Sequence, residues 1–306
     1  MVEQTVDHDA TVSDDPLDNA PPVTRSELAA ALKLAGVRVG GILMVHTQMS
    51  AIGCVIGGQD TVVLALQDAV WDAGTLLAYT CWEHDAFHFA EWPEARREAY
   101  LREPPVFDPA TSPGWTGVGR VPERIRTWPG ARRSAHPLAS VAALGPDSDF
   151  LTRDHRLDDG YGPTSPFARL VERRGQILLL GAPLETLTIL HHAEALARAP
   201  NKRWVRFPAR VRTDDGVEDV EIDVIDTSRG AFDYDALELG KVCPDAGRVD
   251  SFEVIAREAL AAGIGRRVQI AGAPSHLFEA DELLRFAVAW LEQRFAPDQQ
   301  ACRPST

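Results

Sequence analysis

Cysteine is scarce in this chain: four in 306 residues, at Cys54, Cys81, Cys243 and Cys302, with no paired spacing. That scatter excludes a disulfide frame and a cysteine zinc site, and reads as free thiols in a reducing cytoplasm. Positive charge is also short. Lys and Arg number 31 against 45 Asp and Glu, a net charge of −14. A surface that neutralises phosphates needs the opposite balance, so nucleic acid is not an expected partner. No apolar run reaches the ~18–20 residues of a membrane helix, so no membrane is expected as a partner either. A signal peptide's basic segment and apolar core are missing from the first residues. The Gly-x-Ser-x-Gly elbow is absent, which argues against a serine hydrolase of the usual α/β type. The P-loop and the dinucleotide fingerprint are absent too, and there is no internal repeat.

What is present is a chain with 45% hydrophobic residues, enough for one large α/β unit. Residues 1–22 are acidic, contain proline and hold few apolar residues, the composition of a disordered tail. Residues 299–306 read as a flexible end. Between them we expect a single domain over 23–298, with a smaller substrate-binding lobe built from 81–115 and 204–250. Thr24 and Glu27 form a capping box opening a helix over about 25–35. ILMVH (42–46) is a buried-strand pattern, followed by a Gly-containing loop (47–58), a helix over 60–72 and the strand TLLAYT (75–80). That order is a parallel βαβ unit. A helix is expected over 116–128, buried strands at SVAAL (140–144) and QILLL (176–180), and a helix opening at Ser165-Pro166. WVRFPARV, the turn Asp214-Asp215-Gly216 and VEDVEIDVI give an antiparallel hairpin over 204–225. Helices near 251–262 and 279–295 make a helical C-terminal part.

The chemistry concentrates in LLLGAPLETLTILHHAEALA (178–197). His191 and Glu194 are three apart, so a helix places them on one face within reach of each other. A carboxylate beside an imidazole raises its basicity and fixes its tautomer, as a general base requires. The same spacing also arises in locally satisfied pairs, and these two residues alone leave both readings open. The loop after His46 is suited to present backbone N–H groups to a phosphate or carbonyl, or simply joins strand to helix. His84 and His88, flanked by Glu83 and Asp85, have metal-ligand character but no third ligand at a fixed offset. Cys81, at a strand end, is either an acyl-transfer nucleophile or a small buried hydrophobe.

Taken in order, LMVHTQMSAIGCVIGG (43–58), AGTLLAYTCW (73–82), FDPAT (107–111), RTWPGARRSAHPLASVAALGP (126–146), YGPTSPFARL (161–170), LLLGAPLETLTILHHAEALA (178–197), IDTSRGAFD (225–233) and LFEADELLRFAVAWLEQRF (277–295) resemble the aminoglycoside 3-N-acetyltransferase family. The resemblance implies a three-layer α/β/α fold with a mixed central sheet. It implies acetyl transfer from acetyl-coenzyme A to the 3-amino group of the deoxystreptamine ring of a cationic aminoglycoside. Antibiotic resistance follows, in a cytoplasmic monomer or homodimer that uses no metal. The family's LHxAE motif falls on Leu190–Glu194, which makes His191 the base and Glu194 its orienting carboxylate, with His192 at the variable position. The coenzyme falls to His46, Thr47 and Ser50, to Ser140, Val141 and Ala142, and to Ser165 at a helix start suited to anions. Thr47 stands where the family commonly has a smaller residue. An acidic substrate cleft draws on Trp82, Glu83, Asp85, Asp108, Glu123 and Asp226. Other readings are an N-acetyltransferase of a non-antibiotic amine, a non-catalytic coenzyme A or polycation binder, and a metal-dependent amidohydrolase using His84, Asp85 and His88.

Overall fold

The computed structural model describes residues 21–71, 73–82, 85–240 and 249–296. Glu83 and His84 lie outside them, as does the Asp85 side chain, and so do Cys243, Cys302 and both expected tails apart from Pro21 and Pro22. The chain runs α1 (Arg25–Leu34), β1 (Ile42–Thr47), α2 (Met49–Ile52), α3 (Gly58–Val70), β2 (Thr75–Tyr79), α4 (Glu94–Arg102), β3 (Val106–Phe107), α5 (Arg120–Arg126), β4 (Arg132–Arg133) and β5 (Val141–Leu144). It continues through α6 (Ser148–Thr152), α7 (Pro166–Glu172), β6 (Gln176–Leu180), α8 (Ile189–Leu196), β7 (Trp204–Thr213), β8 (Gly216–Ile225), α9 (Ser251–Ala261), β9 (Arg266–Ile270), β10 (Ala273–Glu279) and α10 (Ala280–Phe295). The capping box at Thr24 and Glu27 is made reciprocally, an arrangement typically worth about 1 kcal/mol.

Seven strands form one mixed sheet in the order β4-β5-β2-β1-β6-β10-β9. β2, β1 and β6 are mutually parallel, and the flanking pairs are antiparallel. The central strands are mainly apolar because both faces are covered. Period-two alternation then sorts their side chains. Leu43 and Val45 of β1, with Leu178 and Leu180 of β6, pack under α1, α3 and α5 through Leu28, Leu32, Leu66 and Ile125. Met44 and Leu179 face the other way, onto α7–α10 through Phe167, Leu190, Ile255 and Trp290. This is the three-layer arrangement with a mixed sheet. A smaller sheet, β3-β7-β8, packs with residues 86–100 around Trp92, Tyr100, Phe207 and Ile222.

One expectation is corrected, and one element is new. The helix expected over 116–128 shrinks to α5, preceded by a 3-10 turn at Thr116–Val118, since Gly117 and Gly119 weaken helix propensity at its start. The hairpin β9–β10 carries no sequence signal. Its two-residue turn, Ala271-Gly272, has both residues at positive φ, and alanine is not the residue such a turn announces itself with. Among the described residues, no helix is long and apolar enough to cross a membrane.

Candidate active site

β1 and β6 are adjacent and parallel, yet the chain leaving β1 turns to the face of α3 and the chain leaving β6 turns to the face of α8. That divergence is a topological switch point, where open α/β sheets leave a crevice beyond the strand ends. A cavity of about 440 Å³ lies there. Its walls include His46, Thr47 and Gln48 from the end of β1, Glu185 and Thr188 from the β6–α8 connection, and His191. The two connections pass close together at Gly181. A Cβ there would sit 2.6 Å from the Ala51 side chain, at a φ of +67°; only glycine fits without a shift.

α8 is buried almost all round, and its polar groups are therefore committed. His191 Nδ1 lies 2.8 Å from Glu194 Oε2. The carboxylate only accepts, so Nδ1 carries a proton, and in the neutral form of the ring the lone pair is on Nε2. Glu194 has no solvent exposure. Its other oxygen, Oε1, accepts from the Tyr234 hydroxyl at 2.8 Å and from the Ala231 N–H at 3.3 Å. The His191 ring sits between Tyr161 (centroids 5.0 Å) and the edge-on Phe252 (4.8 Å). His192 points elsewhere: its Nδ1 meets the Tyr161 carbonyl at 2.6 Å in the core.

At the end of β1, His46 Nε2 and Thr47 Oγ1 are buried without a hydrogen-bond partner. Burial pushes the His46 imidazole down to about 4, so it is neutral near pH 7. Two orphaned polar atoms on one cavity wall mark a place where a ligand supplies the missing bonds. A second cavity of about 630 Å³ adjoins the first, sharing Trp115 and Gly119 and adding Gln59, Arg120 and Arg124. Arg124 pairs with Asp60 at 2.6 Å. Cys81 is buried, and burial raises its thiol to about 11. It is protonated near neutrality and is a core residue rather than an acyl acceptor.

Several candidates are placed elsewhere. Ser140 donates to the Thr80 carbonyl at 2.9 Å and accepts from Arg133 at 3.1 Å. Val141 and Ala142 are fully buried in the two cores. Ser165 caps α7, accepting from the Ala168 N–H and donating to the Gly162 carbonyl. None of these four lines the cavity. Ser50 is exposed on α2 and accepts from Gln48 Nε2 at 3.3 Å. The described carboxylates of the expected acidic cleft are dispersed and already partnered. Asp108 holds Arg212 at 2.9 Å, and Glu123 holds Arg126 at 2.6 Å beside the second cavity. One oxygen of Asp226 anchors the turn at Ser228 and Arg229. Trp82 packs on Phe107. His88 lies 4.0 Å from Glu91, and among the described residues no three His, Cys, Asp or Glu side chains gather as a metal site. The cavity carboxylate is instead Glu185, exposed on a 3-10 turn six residues before His191. Sequence reading passed over it because a lone Glu in a turn resembles any solvated one.

A carboxylate-held imidazole at a switch-point crevice, with orphaned polar groups on the cavity wall, is an arrangement able to accept a proton from a nucleophile. The family model described as aminoglycoside 3-N-acetyltransferase matches residues 44–292. Aminoglycoside N(3)-acetyltransferase VIII of Streptomyces fradiae is 50% identical over 275 residues, 89% of this chain and 93% of that protein. The crystal structure of aminoglycoside acetyltransferase AAC(3)-Xa superposes with a TM-score of 0.83 at 44% identity, covering 90% of this chain and 95% of that one. AAC-IIIb, solved as a binary complex with CoASH, gives 0.81 at 40% identity, covering 90% and 99%. The chain belongs to the aminoglycoside 3-N-acetyltransferase family, as its sequence motifs imply.

Proposed function

We propose that this protein transfers the acetyl group of acetyl-coenzyme A to the 3-amino group of 2-deoxystreptamine aminoglycosides, and so confers resistance to them. The observation that carries this reading is the His191–Glu194 pair, 2.8 Å apart on the cavity wall, in a chain half identical to a curated N(3)-acetyltransferase. Acetyl-coenzyme A supplies the activated acyl group as co-substrate. The cavity suits it: the unpartnered His46 Nε2 and Thr47 Oγ1 face the reacting end, and Arg120 of the adjoining cavity, free of any carboxylate partner among the described residues, suits a phosphate. Residues 23–298 act as one catalytic domain, in the cytoplasm, as a monomer or homodimer without nucleic acid or membrane partners.

Aminoglycoside amines are mostly protonated near neutral pH, and an ammonium has no lone pair to attack with. His191 Nε2 takes the proton, directly or through one water. The neutral amine then forms the amide N–C bond as the thioester C–S bond breaks; the electron pair leaves on sulfur, and the thiolate takes up the second amine proton to become the coenzyme A thiol. Backbone N–H groups near residues 46–50, or Thr47 Oγ–H, serve as donors to the developing oxyanion; such donors are typically worth ~3–4 kcal/mol. No acyl-enzyme is needed, in keeping with the protonated, buried Cys81.

The test is thiol release from acetyl-coenzyme A with an aminoglycoside panel that includes one drug lacking a free 3-amino group. Release with the others alone establishes reaction and regiochemistry. Silence across the panel rejects the antibiotic as substrate. Glu185→Gln removes the carboxylate on the cavity wall. It should raise KM for the amine about 5–10-fold at unchanged kcat, with a smaller effect at high salt because exposed charges are screened. An unaltered KM removes Glu185 from the substrate site.

A further inference from the structure

His191 and Glu194 sit on α8, but the groups that hold them arrive from other parts of the chain. Ala231 and Tyr234 follow β8, and Phe252 opens α9, where Asp250 accepts from its N–H at 2.7 Å. Glu194 is fully buried, and one hydrogen bond from His191 leaves its second oxygen to be satisfied. Tyr234, itself only 2% exposed, provides that bond at 2.8 Å, with the Ala231 N–H at 3.3 Å. Burial, and then Glu194 itself, hold the Tyr234 phenol well above its usual range, so it remains a donor. On the other side of the pair, Phe252 meets the His191 ring edge-on at 4.8 Å.

We propose that Tyr234 and Phe252 are positioning residues for the acetyl transfer: Tyr234 holds Glu194, and Phe252 holds the His191 ring against Tyr161. This rests on the reading of His191 as the base. The described residues between β8 and the start of α9 then carry part of the base's support. A change there acts on kcat.

The physical consequence is a pH shift. A hydroxyl donating to Glu194 draws off negative charge that would otherwise stabilise the His191 imidazolium. Removing it lets the carboxylate hold the imidazolium more strongly, so His191 is freed of its proton only at higher pH. The other groups around the pair remain in place. Among the described residues these include Lys202 and Asp250, which act on Glu194 and Tyr234 respectively; the neutral phenols Tyr161 and Tyr79; neutral His46; and Glu185 on the cavity wall.

Tyr234→Phe should therefore move the acid limb of the kcat profile up by about 0.5–1 pH unit, with the high-pH plateau within about tenfold of the parent. A merely structural role would lower thermal stability and leave the limb where it is. An unshifted limb, or one shifted down, overturns the Tyr234 assignment. Should Tyr234→Phe fail to fold, Phe252→Leu decides: it keeps apolar bulk while removing the ring edge. We expect kcat to fall about 5–10-fold with KM for acetyl-coenzyme A within twofold. An unchanged kcat overturns the proposal. Running His191→Ala in parallel separates the two failures. If that variant is inactive while Tyr234→Phe and Phe252→Leu behave as the parent, only the positioning proposal fails. If His191→Ala keeps full activity, the base reading itself fails.

Discussion

His191→Ala should lower kcat at least ~100-fold, the usual scale for loss of a general base, with much smaller changes in KM for either substrate. The expectation follows from the amine's charge. Without an acceptor on the cavity wall, the protein must wait for the small fraction of amine that is already neutral in solution. That fraction grows with pH, so the deficit should narrow as pH rises, which a general structural defect would not do. Cavity shape and the orphaned Thr47 hydroxyl persist in the variant, so activity above the uncatalysed rate should survive through proximity and oxyanion stabilisation. The measurement is steady-state thiol release as a function of pH. Parent-like turnover at neutral pH would remove His191 from the reaction, and a deficit constant across pH would show that its role is not proton removal.

The parts of this molecule readable in the sequence were those fixed by short-range rules. Runs such as ILMVH and QILLL became the buried parallel strands because both faces of the sheet are covered. The Asp-Asp-Gly turn gave the β7–β8 hairpin. The i,i+3 spacing of His191 and Glu194 brought the two side chains into contact on α8. What stayed hidden depends on partners far away along the chain. Tyr234 is 40 residues from the carboxylate it holds. Asp108 looked like a free cleft carboxylate until Arg212, more than a hundred residues later, took it. Ser140 carried the signature of a strand beside a ligand, but Arg133 and the Thr80 carbonyl absorb its hydroxyl. The β9–β10 turn escaped because alanine, at positive φ, stands where Asn or Asp would have announced it. Charge and hydroxyl patterns nominate polar groups, but burial and pairing decide which of them are left for a ligand.

Glu194→Gln should be at least as damaging as loss of the histidine, with kcat reduced by up to about 10⁴, the scale of the loss when the carboxylate behind a catalytic histidine becomes an amide. The replacement is close to isosteric. Its carbonyl can still accept from Tyr234 and the Ala231 N–H, which contact Oε1 in the parent, so the fold should tolerate it. The oxygen facing His191 Nδ1 then becomes an NH₂ group, which donates. Nδ1 must accept from it, the proton moves to Nε2, and the atom on the cavity side has no lone pair left. Turning the amide over restores the histidine contact only by setting NH₂ against two donors in a site without solvent, which costs more than it returns. KM for both substrates should change little, because Glu194 has no surface in the cavity. Unlike the His191→Ala deficit, this one should respond only weakly to pH between 7 and 9, since raising the pH does not restore the tautomer that Glu194 sets. Pre-steady-state and steady-state kcat values across that range, with the ring-nitrogen resonances of His191 read by NMR, test the assignment directly. A parent-like kcat, or an unprotonated Nε2 in the variant, would mean that Glu194 supports the fold of α8 without setting the base.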